Sequence, residues 1–204
     1  MLNGNMFYID WEDQQVSVQL SENTFDSETQ NAGSSKVKGF ELEAFYKITN
    51  DLELFASLGQ AKTEFTDFVI TVPTSNEPVV YDLTGRSFAD APEWTANIGA
   101  TYSNDNGIFA NVSVNYANAS NADTNPYNRG LSESDVEFNL QNDARTLVNM
   151  RVGYEWDSVG LYLIGKNILD EEFISGAAFG TGRRIVRHTL GEPRQISLSL
   201  QGTF

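Results

Sequence analysis

Arg183, Arg184, Arg187 and His188 form the only concentrated basic group in a sequence whose formal net charge is −15. Guanidinium groups pair with carboxylate or phosphate oxygens through two parallel hydrogen bonds, so the cluster suits an anion. An anionic ferric chelate, the phosphates of lipopolysaccharide and the acidic loops of the chain itself are the counterparts that fit. A second group, Asp123, Glu133, Asp135 and Glu137, offers the oxygen ligands that Ca²⁺ prefers. Its spacing does not reproduce an EF-hand loop, and a solvated acidic surface accounts for it. His188 is the single histidine and cysteine is absent. Thiolate chemistry, histidine metal sites and Ser/His/Asp triads therefore lack material, and no catalytic residue, resident metal or cofactor is expected.

The elements that would position these groups are short and polar on average. The 204 residues are 40% hydrophobic and 12% aromatic, enough for one all-β unit. A pI near 4.3 argues against nucleic acid, which needs a concentrated basic surface. No window approaches the ~20 apolar residues of a membrane helix, and the mean hydropathy is −0.34. Neither fact excludes a barrel, whose strands turn only alternate residues to lipid. The opening Met1-Leu2-Asn3-Gly4-Asn5 lacks the basic and apolar stretches of a secretory signal, so an exported protein would begin upstream.

Period-2 alternation recurs about eight times, placing successive side chains on opposite faces of strands. Ile196, Leu198, Leu200 and Phe204 share one parity, against Gln195, Ser197, Ser199 and Gln201. Thr146, Val148, Met150, Val152, Tyr154 and Trp156 oppose Arg145, Asn149, Arg151 and Glu155, with Leu147 as the exception. Comparable splits run through 108–116, 94–102, 52–58 and 40–48, where Phe45 and Phe55 break the rule. Near 2–18 and 160–169 the faces are ambiguous. Short turns at 49–51, 103–107 and 157–160 alternate with long polar stretches at 19–35, 66–91, 118–142 and 172–193. This is the asymmetry of an outer-membrane barrel, with short periplasmic turns and long extracellular loops.

Tyr46, Tyr102, Tyr154 and Trp156 lie on the apolar parity close to the short turns, and Trp94 and Tyr116 lie close to the long loops. Two such belts are the girdles expected at the two membrane interfaces, where a ring is buried and its polar tip stays wet. Glu41, Glu43, Lys47, Glu53 and Arg151 fall on the polar parity and would line the lumen. A soluble antiparallel sandwich also alternates, but has little reason to segregate its long loops to one edge or its Tyr and Trp to strand ends.

Several segments, in order, carry a family resemblance: Lys38-Gly39-Phe40-Glu41-Leu42-Glu43-Ala44, the strand from Asp51 to Phe65, Ala91-Pro92-Glu93-Trp94-Thr95-Ala96-Asn97, Gly165-Lys166-Asn167-Ile168-Leu169-Asp170-Glu171-Glu172-Phe173, and a final strand ending at Phe204. The order resembles the C-terminal end of TonB-dependent outer-membrane receptors. Ile168 and Phe173 stand where that family's penultimate signature more often has Leu and Tyr.

The resemblance implies that residues 1–204 are an antiparallel transmembrane β-barrel portion: about eight strands of a larger barrel of about 22, with the plug domain absent from this stretch. It further implies uptake of a scarce nutrient at the cell outer membrane of a Gram-negative bacterium. The substrate expected on that basis is a ferric siderophore or other iron complex. Implied partners are the plug and TonB complex, outer-membrane lipid and lipopolysaccharide, and the barrel-assembly machinery, which would read Phe204 as its terminal signal. The alternatives are a complete eight-stranded barrel acting as an adhesin or structural anchor, and a lipid-modifying barrel enzyme, for which a credible Ser/His pair is missing.

Overall fold

The computed structural model describes residues 1–19, 27–72, 79–123, 140–179 and 186–202, and every regular element among them is a strand. In chain order these are β1 (Leu2–Gln19), β2 (Ser27–Lys47), β3 (Leu52–Asp67), β4 (Val69–Val72), β5 (Val79–Asp82), β6 (Trp94–Ser103) and β7 (Ile108–Ala117). They continue as β8 (Ser120–Asn121), β9 (Gln141–Asn142), β10 (Arg145–Trp156), β11 (Val159–Lys166), β12 (Ile174–Phe179), β13 (Val186–Leu190) and β14 (Gln195–Gly202). Eight of them form one antiparallel sheet in the order β1-β2-β3-β6-β7-β10-β11-β14. Its edges, β1 and β14, do not pair with each other. The sheet is thus the wall of a barrel without being a closed barrel.

Register fixes the faces. Leu42↔Leu58↔Ala96↔Tyr116 and Ala44↔Ala56↔Ile98↔Val114↔Val148 form continuous cross-strand rows on one side. On this side Ile98, Ile196, Leu198 and Leu200 are 61–72% exposed, left open by the described residues of the chain; in a bilayer those side chains would meet acyl chains. The two ambiguous strands resolve through their partners. Leu161 and Leu163 face outward opposite Leu200 and Leu198, and Tyr162 is buried on the polar side. In β1, Leu2, Met6 and Tyr8 face outward opposite Ala44, Phe40 and Lys38, whereas Phe7, Ile9 and Trp11 face inward.

Phe55 and three other inward aromatic rings share a common arrangement. Phe55 pairs with Gly99, Tyr162 and Phe109 both pair with Gly153, and Phe7 pairs with Gly39. A Cβ at Gly99 would collide with the Phe55 ring and the Val112 carbonyl, and one at Gly153 with Tyr162 and the Leu161 carbonyl. Inward-facing aromatic rings therefore lie across glycines of the neighbouring strand, a device that restores packing where the backbone must be bare.

The three short turns lie at one end. Thr49 Oγ1 accepts the N–H groups of Asp51 and Leu52, each at 3.1 Å. Asn104 Oδ1 accepts the Ile108 N–H at 3.0 Å. Asp157 takes a φ of 46°, which Asp tolerates better than most residues. Strand β11 already begins at Val159, so the last turn is tighter than the expected 157–160.

The long-loop end differs more. Residues 27–35, expected as loop, belong to β2, and the other three long stretches contain the hairpins β4–β5, β8–β9 and β12–β13. Around β4–β5 a small core forms from Phe65, Phe68, Ile70 and Leu83, with Phe65 stacked 4.9 Å from Phe68 and 4.8 Å from Phe88.

Candidate functional site

On the inward face, under the β12–β13 hairpin, a cavity of about 700 Å³ opens against β10 and β11. Arg145, Arg151 and Lys166 line it, with Asn111, Asn149 and Glu192 as polar neighbours. Leu147 and Phe173 supply apolar wall; Leu147, the misfit of its strand, is thus inward for a reason. Three cations and one carboxylate meet here in a chain of net charge −15.

Arg151 is held rigidly. Its Cζ lies 3.8 Å from the Tyr162 ring centroid and 5.4 Å from that of Phe109, and its Nη2 donates to Gln201 Oε1 at 3.1 Å. Each such cation–π contact contributes about 0.5–2 kcal/mol. Its Nε is buried without a hydrogen-bond partner among the described residues. Arg145 rests 5.5 Å over the Phe173 ring. Both guanidinium groups are pre-oriented by aromatic faces, which lowers the entropy lost when an anion is bound.

The upper rim is fastened by the Asn167–Asp170 turn. Asn167, 4% exposed with φ 46°, donates from Nδ2 to the carbonyls of Glu171 (2.9 Å) and Glu192 (3.1 Å). Its Oδ1 accepts the Glu171 N–H at 2.9 Å, and its own N–H donates to Asn149 Oδ1 at 3.0 Å. Asp170, φ 58°, accepts the Arg194 N–H at 2.9 Å and faces the Arg194 guanidinium at 3.3 Å. The segment singled out as a family signature is a clasp joining the ends of β11 and β14 to the rim of the cavity.

Of the basic group read from sequence, Arg183 and Arg184 lie outside the described residues. Arg187 and His188 are exposed on β13, opposite Ala178 and Ala177, and so project from opposite faces of the hairpin. His188 shares its face with Leu190, a cavity-lining residue. Among the described residues no cluster of three or more His, Cys, Asp or Glu side chains is arranged to hold a metal; Glu133, Asp135, Glu137 and Phe204 lie outside them.

Glu41, Glu43 and Arg151 are on the inward face, and Lys47 stands directly opposite Glu53 there. Tyr46, Tyr102, Tyr154 and Trp156 sit on the outward face near the short turns, the last two with rings 5.8 Å apart. Trp94 stacks edge-on to Phe40 at 5.8 Å near the opposite end, where Tyr116 donates to Asn118 Oδ1. Sequence reading missed the Arg145–Lys166 grouping because its members are scattered along two strands; only cross-strand register brings them together.

Comparison with known proteins bears on the whole chain. Its fold matches the siderophore receptor PiuA from Acinetobacter baumannii, with TM-score 0.70 and 20% identity over 98% of this chain and 26% of that one. It also matches the ferric yersiniabactin uptake receptor FyuA from Yersinia pestis, with TM-score 0.73 and 15% identity over 100% of this chain and 27% of that one. The copper transporter OprC matches with TM-score 0.67 and 17% identity, over 100% and 29% respectively. The chain therefore spans a little over a quarter of these structures. Residues 1–168 match the family described as TonB dependent receptor-like, beta-barrel, and the chain belongs to that family.

Proposed function

We propose that residues 1–204 are the C-terminal part of the wall of an outer-membrane receptor that imports an anionic metal chelate, a ferric siderophore or similar iron complex, with energy delivered through TonB. The carrying observation is the inward cavity with Arg145, Arg151 and Lys166 in a strongly acidic chain. A negatively charged chelate finds there pre-oriented guanidinium groups, whereas a bare copper ion would favour soft ligands. This chain offers no cysteine, one histidine and three methionines. The plug domain and the TonB contact would belong to other parts of the same protein. The sheet's unpaired edges weigh against a closed eight-stranded adhesin.

The test uses the full-length gene product in outer membranes under iron limitation. A radiolabelled ferric chelate panel should show saturable binding to at least one anionic member, and uptake that stops when TonB is deleted. Uptake that continues without TonB would refute the coupling. Replacing Arg183, Arg184 and Arg187 by Ala should weaken the same binding if this basic group meets the ligand.

A further inference from the structure

The three cations of the inward cavity have no counter-ion among the described residues. Arg145, Arg151 and Lys166 form no ion pair there, although the chain carries 28 acidic residues against 13 lysines and arginines. The acids nearby have other partners. Glu171 Oε1 accepts the Thr146 N–H at 2.9 Å, Glu192 accepts from the Gln195 amide at 3.4 Å, and Asp170 faces Arg194. A cleft lined by one sign of charge concentrates ions of the other sign.

Arg145 and Arg151 cannot share one anionic group. They lie on the same face of β10, about 20 Å apart at ~3.3 Å per residue. Their side chains also lean apart. Arg145 rests over Phe173 at the foot of the β12–β13 hairpin, whereas Arg151 is held against Tyr162 and Phe109, the partners of Gly153, and so toward the short turns. Lys166 stands between them in height, one step past the Met150–Gly165 pair and level with Asn149, and it is exposed. Its charge rides on a flexible stem, while both guanidinium groups are pinned by rings. Between the two arginines the inward residues of β10 and β7 are Leu147, Asn149, Asn115 and Ser113, so no carboxylate on these strands repels an anion on the way.

We propose that the cavity is a lane with two anion stations rather than a single site: an anionic chelate is received at Arg145, passed along by Lys166 and released from Arg151 toward the short-turn end. The lane rests on the uptake reading above and deepens it. Arg145 sets affinity, whereas Lys166 and Arg151 set the rate at which a bound chelate descends.

Cells carrying the full-length protein are tested with radio-iron complexes of citrate and of a tris-catecholate, both anionic. Binding is measured in a strain without TonB and import in a strain with it, each per folded receptor in the outer membrane. The variants are R145Q, K166Q, K166R and N111D. Asn111 pairs with Arg151 across the strands and donates to Thr101 Oγ1 at 2.9 Å. Aspartate there can accept from that hydroxyl and gives Arg151 a permanent partner, which blocks the lower station with Arg151 itself left in place. R145Q should weaken binding about tenfold, the loss expected for one charge-assisted hydrogen bond. K166Q and N111D should bind as the wild type does but import about tenfold more slowly, and K166R should import at the wild-type rate. A wild-type import rate in either K166Q or N111D, or wild-type binding by R145Q, would overturn the lane and leave uptake of an anionic chelate standing. Failure of the wild type to bind any anionic probe would overturn the uptake reading and the lane with it.

Discussion

Asn167 concentrates more structural work in one side chain than any charged residue of the site. It is the kind of residue that accepts a φ of 46° without much strain, and its amide satisfies two carbonyls and one N–H while buried. Alanine would leave those groups unpaired and also resist the backbone conformation. Asn167→Ala should therefore destabilise the folded wall by about 2–3 kcal/mol, at ~1 kcal/mol per hydrogen bond. Asn167→Asp should fall between, since it keeps the acceptor and the φ tolerance but loses both donor bonds. The measurement is the temperature at which the full-length protein loses its heat-modified gel mobility; an unchanged temperature for Asn167→Ala would refute the clasp. The same reasoning explains why the motif tolerates Ile168 and Phe173: the polar clasp lies in Asn167 and Asp170, while Phe173 only has to offer a ring to Arg145 and fill the space against Gly191.

At the scale of strands, the aromatic-over-glycine pairs predict a ranking. Valine at Gly99 or Gly153 would drive its Cβ into backbone carbonyls of the adjacent strand as well as into Phe55 or Tyr162, whereas a Cβ at Gly4 meets the flexible end of Leu42 at 3.2 Å and the Glu41 carbonyl at an ordinary 3.9 Å. Gly99→Val and Gly153→Val should each cost ~1–3 kcal/mol, the usual range for overpacking, and lower the yield of folded protein in the membrane fraction. Gly4→Ala should be nearly silent; equal losses at all three positions would remove the packing explanation.

These pairs also mark where sequence could and could not be read. Leu198 or Val148 announces its face because a wall with one apolar side rewards alternation, so the faces of six wall strands were legible, while β1 and β11 take theirs only from their partners. Alternation stops in Ser27–Ser35, which lacks large apolar residues on either face yet remains paired strand, and so read as loop. Phe45 and Phe55 broke the pattern because an inward ring facing Phe55 or Gly99 obeys cross-strand pairing, which no single strand reveals.

Over the whole molecule, charge is sorted by place rather than by amount. The outward band is apolar, the opposed Lys38 and Lys62 sit at its upper border, and Arg145, Arg151 and Lys166 face inward around the cavity. Sequence exposed only the contiguous basic group at 183–188, because arginines on β10 and a lysine on β11 are neighbours in space and not along the chain.

The three inward cations do not all have the same duty. Arg151 is clamped between Tyr162 and Phe109 and bonded to Gln201, so changing it would disturb the wall itself. Arg145 and Lys166 are the better probes. Arg145→Gln with Lys166→Gln should leave the amount of folded receptor unchanged while weakening binding of an anionic chelate about ten- to a hundredfold, as expected for one or two charge-assisted contacts of ~1.5 kcal/mol each. The remaining affinity should depend less steeply on ionic strength than that of the wild type, because part of the attraction is screened Coulomb interaction. A double variant that binds every chelate with wild-type affinity, at both low and high salt, would assign the cavity to contact with the plug and leave substrate recognition to the loops above it.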